Sequence, residues 1–154
     1  MDTLELWEKE INSNNQLIEE ATKISEEELD SKIASIYCHM VKYKYCDRHQ
    51  GSDWVGTVSN GVKYISDNDG KISTSVRNNI NIDKAKRKGF KKAISEVEDH
   101  NQKLTISKIE DADIPFNTFK DFENVSKAKQ WLKANVKEDM PSCYYKVKKE
   151  LDKL

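Results

Sequence analysis

Apolar positions recur every three or four residues along most of this chain, the period of helices that bury one face. Leu4, Trp7, Ile11, Leu17 and Ile18 give the first stripe, over residues 3–22, broken by the polar patch Asn12-Ser13-Asn14-Asn15. A second helix is expected from Ser25, because Ser25 followed by Glu28 has the form of a capping box. It should run to about Tyr45. Ile33, Ile36, Tyr37, Met40 and Val41 then share one face, and His39, Tyr43 and Cys46 line up on the neighbouring one. A helix that is apolar or aromatic around most of its girth belongs in the middle of a bundle.

Residues 46–52 read as a polar loop. Trp54, Val58, Val62 and Ile65 follow at helical spacing and predict a third helix, which Asp67-Asn68-Asp69-Gly70 ends. A rival pattern shares these residues: Val62 to Ile65 and Ile72 to Val76 flank Asn-Asp-Gly and could pair as a small β-hairpin near 62–76. Residues 82–101 predict a helix with Ile82, Gly89, Phe90, Ala93, Ile94 and Val97 on one side. Gly89 and Ala93 are small enough to let another helix approach closely. Residues 104–122 read as irregular, with a short strand at 104–109 and Pro115 as a breaker. Two short helices, near 125–136 and 142–153, close the chain, the last marked by Pro141-Ser142. The expected architecture is all-α: one domain over residues 1–154, a bundle of five or six helices.

Composition narrows this further. Hydrophobic residues make up 36% and charged residues 34% of the 154, which suits amphipathic helices with solvated outer faces. Five Gly and two Pro are too few for a fold of many tight turns. A net charge of −1 gives no global field for nucleic acid or membrane. The charge is uneven, however. Residues 1–30 hold ten acids against Lys9 and Lys23, whereas Lys84-Ala85-Lys86-Arg87-Lys88-Gly89-Phe90-Lys91-Lys92 holds only bases as its charged groups. Docking of one helix on the other within the molecule is the simpler expectation, and an acidic surface for a basic partner is the alternative. No apolar run reaches the ~20 residues that span a bilayer, and no signal-peptide pattern opens the chain. Cys38, Cys46 and Cys143 lack a disulfide spacing, so reduced thiols and a cytoplasmic location are expected.

The segment His39-Met40-Val41-Lys42-Tyr43-Lys44-Tyr45, with Trp54 fifteen residues after the His, resembles the bacterial domain-of-unknown-function family twenty-nine. Val58 and Ile65 sit where that family has aliphatics, and Gly89-Phe90-Lys91-Lys92-Ala93 looks like its later small-aromatic-x-x-Ala helix. The resemblance covers about residues 38–97. It implies an all-α bundle of intracellular bacterial or mobile-element origin and carries over no catalytic residue.

Candidate chemistry is sparse. Cys38, His39, Cys46 and His49 have the ligand types of a zinc site, but neighbours on one helix point ~100° apart, so burial in a bundle explains them better and no metal is expected. His39, Tyr43, Arg48 and Trp54 form a candidate pocket, suited either to acid–base work or to joining the central helix to the next. The structural role weighs more. Asp67 to Gly70 resembles the start of a calcium loop without its closing Glu, hence a turn. No nucleophile with a dedicated base, no phosphate loop and no cofactor motif stands out, and no catalytic residue is assigned. Lys84, Arg87, Lys88, Lys91 and Lys92 form a candidate phosphate-binding face. The leading expectation is a small non-enzymatic module that binds another protein. Its Lys, Asn and Ile richness suits a low-GC bacterium or its phage, where small inhibitors in defence, counter-defence or toxin–antitoxin settings are an analogy. The alternative is a nucleic-acid binder that uses the basic helix.

Overall fold

In a computed structural model, residues 3–46, 51–98, 105–110, 112–136 and 141–154 are described. Eight α-helices occur among them: α1 (Thr3–Thr22), α2 (Glu26–Tyr45), α3 (Gly51–Asp67), α4 (Thr74–Asn79), α5 (Ile82–Glu98), α6 (Ile106–Glu110), α7 (Val125–Ala134) and α8 (Pro141–Asp152). Two short 3-10 turns, Asp69–Lys71 and Phe119–Glu123, join α3 to α4 and precede α7. The all-α bundle is as the periodicity predicts. The six long helices match the six stripes, and the two extra ones, α4 and α6, are too short to show a period.

The central place of α2 follows from its residues. Leu29, Ile33, Ile36, Tyr37, Cys38, Met40 and Val41 are all buried, so the helix is apolar on nearly every side. It packs against α5 on one flank and α3 on the other, and α3 in turn receives α7 and α8. Fully burying an Ile or Leu is worth about 1.5–3 kcal/mol, and that gain sets the arrangement. Ser25 opens α2 with extended backbone, and its Oγ accepts a hydrogen bond from the Glu28 N–H at 3.1 Å. Only this half of the expected capping box forms. The Glu28 carboxylate accepts instead from the Tyr64 hydroxyl at 2.6 Å, which ties α2 to α3.

Gly89 is where α5 crosses α2. A Cβ there would lie 2.4 Å from the Ala34 carbonyl oxygen and 3.0 Å from the Tyr37 Cβ. Ala93 and Val97, one and two turns on, are buried in the same seam. The small residues thus do what their spacing suggests and bring two backbones close.

Two expectations are corrected. The β-hairpin near 62–76 does not form. Val62 and Ile65 continue the buried stripe of Val55 and Val58 on α3, and burial of that face outweighs the turn signal. Beyond the turn, Ser73 caps α4 by accepting from the Val76 N–H at 3.1 Å, which commits 74–79 to helix. Of the strand expected at 104–109, residue 104 lies outside the described residues and 106–109 belong instead to α6, with Thr105 Oγ1 accepting from the Lys108 N–H at 3.3 Å. Asp113 follows with a positive φ of 56°, and the chain then runs irregularly across the core. Phe116 and Phe122 are fully buried with ring centroids 5.0 Å apart, and the Tyr37 hydroxyl donates to the Phe116 carbonyl. That bond satisfies a backbone acceptor that a buried loop would otherwise strand.

Candidate interaction surfaces

Three features outside the core carry chemistry: the face of α1, the basic face of α5, and a polar seam between α2 and α5.

On α1, Leu4, Trp7 and Ile11 fall within about 60° of one another at 100° per residue, so they form one stripe. The sequence pattern places this stripe in the core. The structure leaves it in solvent: Leu4 is 69% exposed, Trp7 65% and Ile11 52%. Leu6, on the opposite side, is exposed as well. Periodicity shows that a face is apolar, not that this molecule supplies its cover. Glu8 flanks the stripe and is exposed. A Lys88–Asp30 pair at 3.2 Å links the basic helix α5 to the start of α2.

On α5 the expected basic face divides. Lys84, Arg87, Lys88 and Lys91 line an open groove of about 720 Å³ with Asn81 and Asp83. Arg87 and Lys91 also border a second groove of about 640 Å³, whose floor includes Phe90 and whose other walls are Asp83, Lys86 and Glu110. Lys86, which the sequence reading did not single out, has its Nζ 5.6 Å from the Phe90 ring centroid. Lys92 does not line either groove; it is exposed, and its charge acts on Cys38 and His39 of α2 and on Glu96 of α5.

Of the candidate pocket residues His39, Tyr43, Arg48 and Trp54, three are described. Arg48 lies outside the described residues, as does His49 of the zinc reading. Tyr43 is buried and donates to the Leu132 carbonyl at 2.7 Å, with its ring against Trp131. It is a tie between α2 and α7. His39 is half-buried, and its Nδ1 donates to the Ser35 carbonyl at 2.7 Å, which makes Nε2 the unprotonated nitrogen. Burial lowers its pKa against the opposing effect of the Ser35 bond, and nearby Lys42 lowers it further, so the ring is neutral at pH 7. Beside Lys42 of the same helix, Glu96 of α5 acts on the ring, a neighbour that spacing along one helix does not reveal. Lys42 forms an ion pair with Glu96 across the seam and lies 5.6 Å from the Trp54 ring centroid. Burial disfavours the Glu96 charge, but the Lys42 bond and the fields of Lys42 and Lys92 outweigh it and hold the carboxyl below its usual range. Burial, with the Glu96 charge beside it, pushes the Cys38 thiol up to about 11, so Cys38 is a protonated, poorly nucleophilic packing residue.

Among the described residues, no group of three or more His, Cys, Asp or Glu could hold a metal ion. No helix there is long and apolar enough to cross a membrane. No family model matches the chain, and neither a curated protein nor a solved structure proved similar to it.

Proposed function

We propose that this chain is a small, non-enzymatic interaction module that recognises another protein through α1. One observation carries the proposal: a 20-residue helix keeps Leu4, Trp7 and Ile11 together in solvent while the described residues from Ile24 onward bury a core of their own. Exposed apolar stripes with a Trp at their centre have the composition of binding hot spots. The acidic character of the same helix favours a partner whose groove is apolar with a basic rim. The polar seam supports a structural rather than catalytic role, because Tyr43, Lys42 and Glu96 are all occupied in joining helices. We further read the chain as a distant relative of domain-of-unknown-function family twenty-nine, of bacterial or phage origin and cytoplasmic. An inhibitory role in a defence, counter-defence or toxin–antitoxin setting fits its size. The test is capture of the tagged protein after nuclease treatment, wild type beside the double variant Trp7→Ala/Ile11→Ala. A stoichiometric protein held by wild type and lost by the variant supports the proposal. Identical recovery by both overturns it.

A second reading has one observation in its favour. Lys84, Arg87, Lys88 and Lys91 line a single open groove, an arrangement that can track phosphates. Nucleic-acid binding that falls steeply with salt and is lost in Arg87→Glu/Lys91→Glu would establish it.

A further inference from the structure

We infer that the occupant of the Phe90 groove on α5 is the α1 helix of a second copy of this chain. The inference rests on the role proposed for α1 and names its partner. Both halves of the contact lie on this one molecule. The groove of about 640 Å³ has Phe90 in its floor and Lys86, Arg87 and Lys91 on its walls. It continues along α5 into the groove that adds Lys84 and Lys88; with Lys88 paired to Asp30, four further cations, Lys84, Lys86, Arg87 and Lys91, face two carboxylates, Asp83 and Glu110, along its length. The stripe of α1 supplies what such a groove takes: a Trp and two aliphatics on one face, with Glu8 at their edge. Residues 1–12 carry Asp2, Glu5, Glu8 and Glu10 against Lys9 alone. The charges of the two surfaces are therefore opposite, and an indole set among Lys and Arg side chains gains cation–π attraction as well.

An alternative self-contact, α1 against α1 of another copy, would set acidic helices side by side and is disfavoured by their like charge. Helix-into-groove contact pairs unlike surfaces. It can be reciprocated, each copy giving its helix to the other's groove, or it can propagate head to tail. One helix in one groove is a small interface, so association in the micromolar range is expected, weakening as salt rises.

The experiment is sedimentation equilibrium on the full chain from micromolar to millimolar concentration, with a helix variant, Trp7→Ala, and a groove variant, Arg87→Glu/Lys91→Glu. All three substituted side chains are exposed, so the fold should persist, as a circular dichroism melt verifies. If Trp7→Ala alters the melt, Ile11→Ser takes its place. Wild type should self-associate, and each variant alone should remain monomeric, its association weakened at least tenfold. A mixture of the two should form a heterodimer, because one copy keeps a sound helix and the other a sound groove. A wild type that is monomeric throughout, a groove variant that still dimerises, or a mixture that stays monomeric overturns the inference. A monomeric wild type that nevertheless captures another protein through Trp7 leaves the proposed function standing. Failure of both would remove both.

Discussion

Replacing Gly89 by Ala tests the central packing of the fold. The new methyl would sit 2.4 Å from the Ala34 carbonyl oxygen, a contact with rigid backbone that no rotamer change relieves. An ordinary carbon–oxygen approach is about 3.3 Å, so α2 and α5 must separate by something near 1 Å. Overpacking of this kind costs about 1–3 kcal/mol, and a backbone clash belongs at the upper end. Ala is the better helix former by about 1 kcal/mol, which offsets part of the loss. The expected net effect is a destabilisation of about 2 kcal/mol, or a fall in Tm of roughly 4–8 °C for a chain of this size. Gly56 on α3 is the internal control. A Cβ there meets nothing within 4 Å, so Gly56→Ala should keep the propensity gain of about 1 kcal/mol and raise Tm by roughly 2–4 °C. Thermal and urea unfolding followed by circular dichroism measure both. A Gly89→Ala protein as stable as wild type would show that α2 and α5 do not cross at that distance.

Tyr43→Phe should cost about 1–3 kcal/mol in urea unfolding, because it strands the buried Leu132 carbonyl that the hydroxyl now satisfies at 2.7 Å. Stability should also fall in alkali: burial raises the Tyr37 and Tyr43 phenols above their ordinary value, so from about pH 10 upward the unfolded chain releases protons that the native state retains. Acid should act through Asp121. Burial opposes its charge, but Lys127 and the N–H groups of Asn117 and Thr118 outweigh it and hold the carboxyl at about 2, so its contribution, complete above about pH 4, should be lost as pH falls toward 2, and Asp121→Asn should flatten that limb of the pH–stability profile. Cys38 and Cys46, both buried, should resist alkylation in the native state and react on unfolding, as peptide mass spectrometry after timed labelling would show.

Most of the helical framework is legible in the sequence because it is written in local periodicity. The buried face of α2, the crossing at Gly89 and the stripes of α3, α5, α7 and α8 all follow from apolar spacing. α4 and α6 do not, since six and five residues are too short to show a period; their signals are the caps Ser73 and Thr105. The surfaces are less legible in the sequence. Leu4, Trp7 and Ile11 have the same spacing as core residues, and only the tertiary arrangement shows that they stand exposed. The cations of α5 are plain in the sequence, but the pairing of Lys42 with Glu96 depends on how two helices distant in sequence cross. Tyr43 and His39 lie on α2 one turn apart, which suggests a shared pocket. The Tyr43 hydroxyl in fact reaches α7, a direction that spacing along one helix does not give.

The claim that α1 is the recognition element is tested most directly by site-specific photocrosslinking in cells that express the protein. A photoreactive side chain would replace Trp7 in one variant and, as a control on another exposed surface, Tyr145 on α8 in a second. The account predicts a discrete crosslinked product from position 7 and none from position 145. A product identified as this same chain would place α1 on a second copy, and any other protein would name the partner. No product at position 7, or the same products from both positions, would contradict the account.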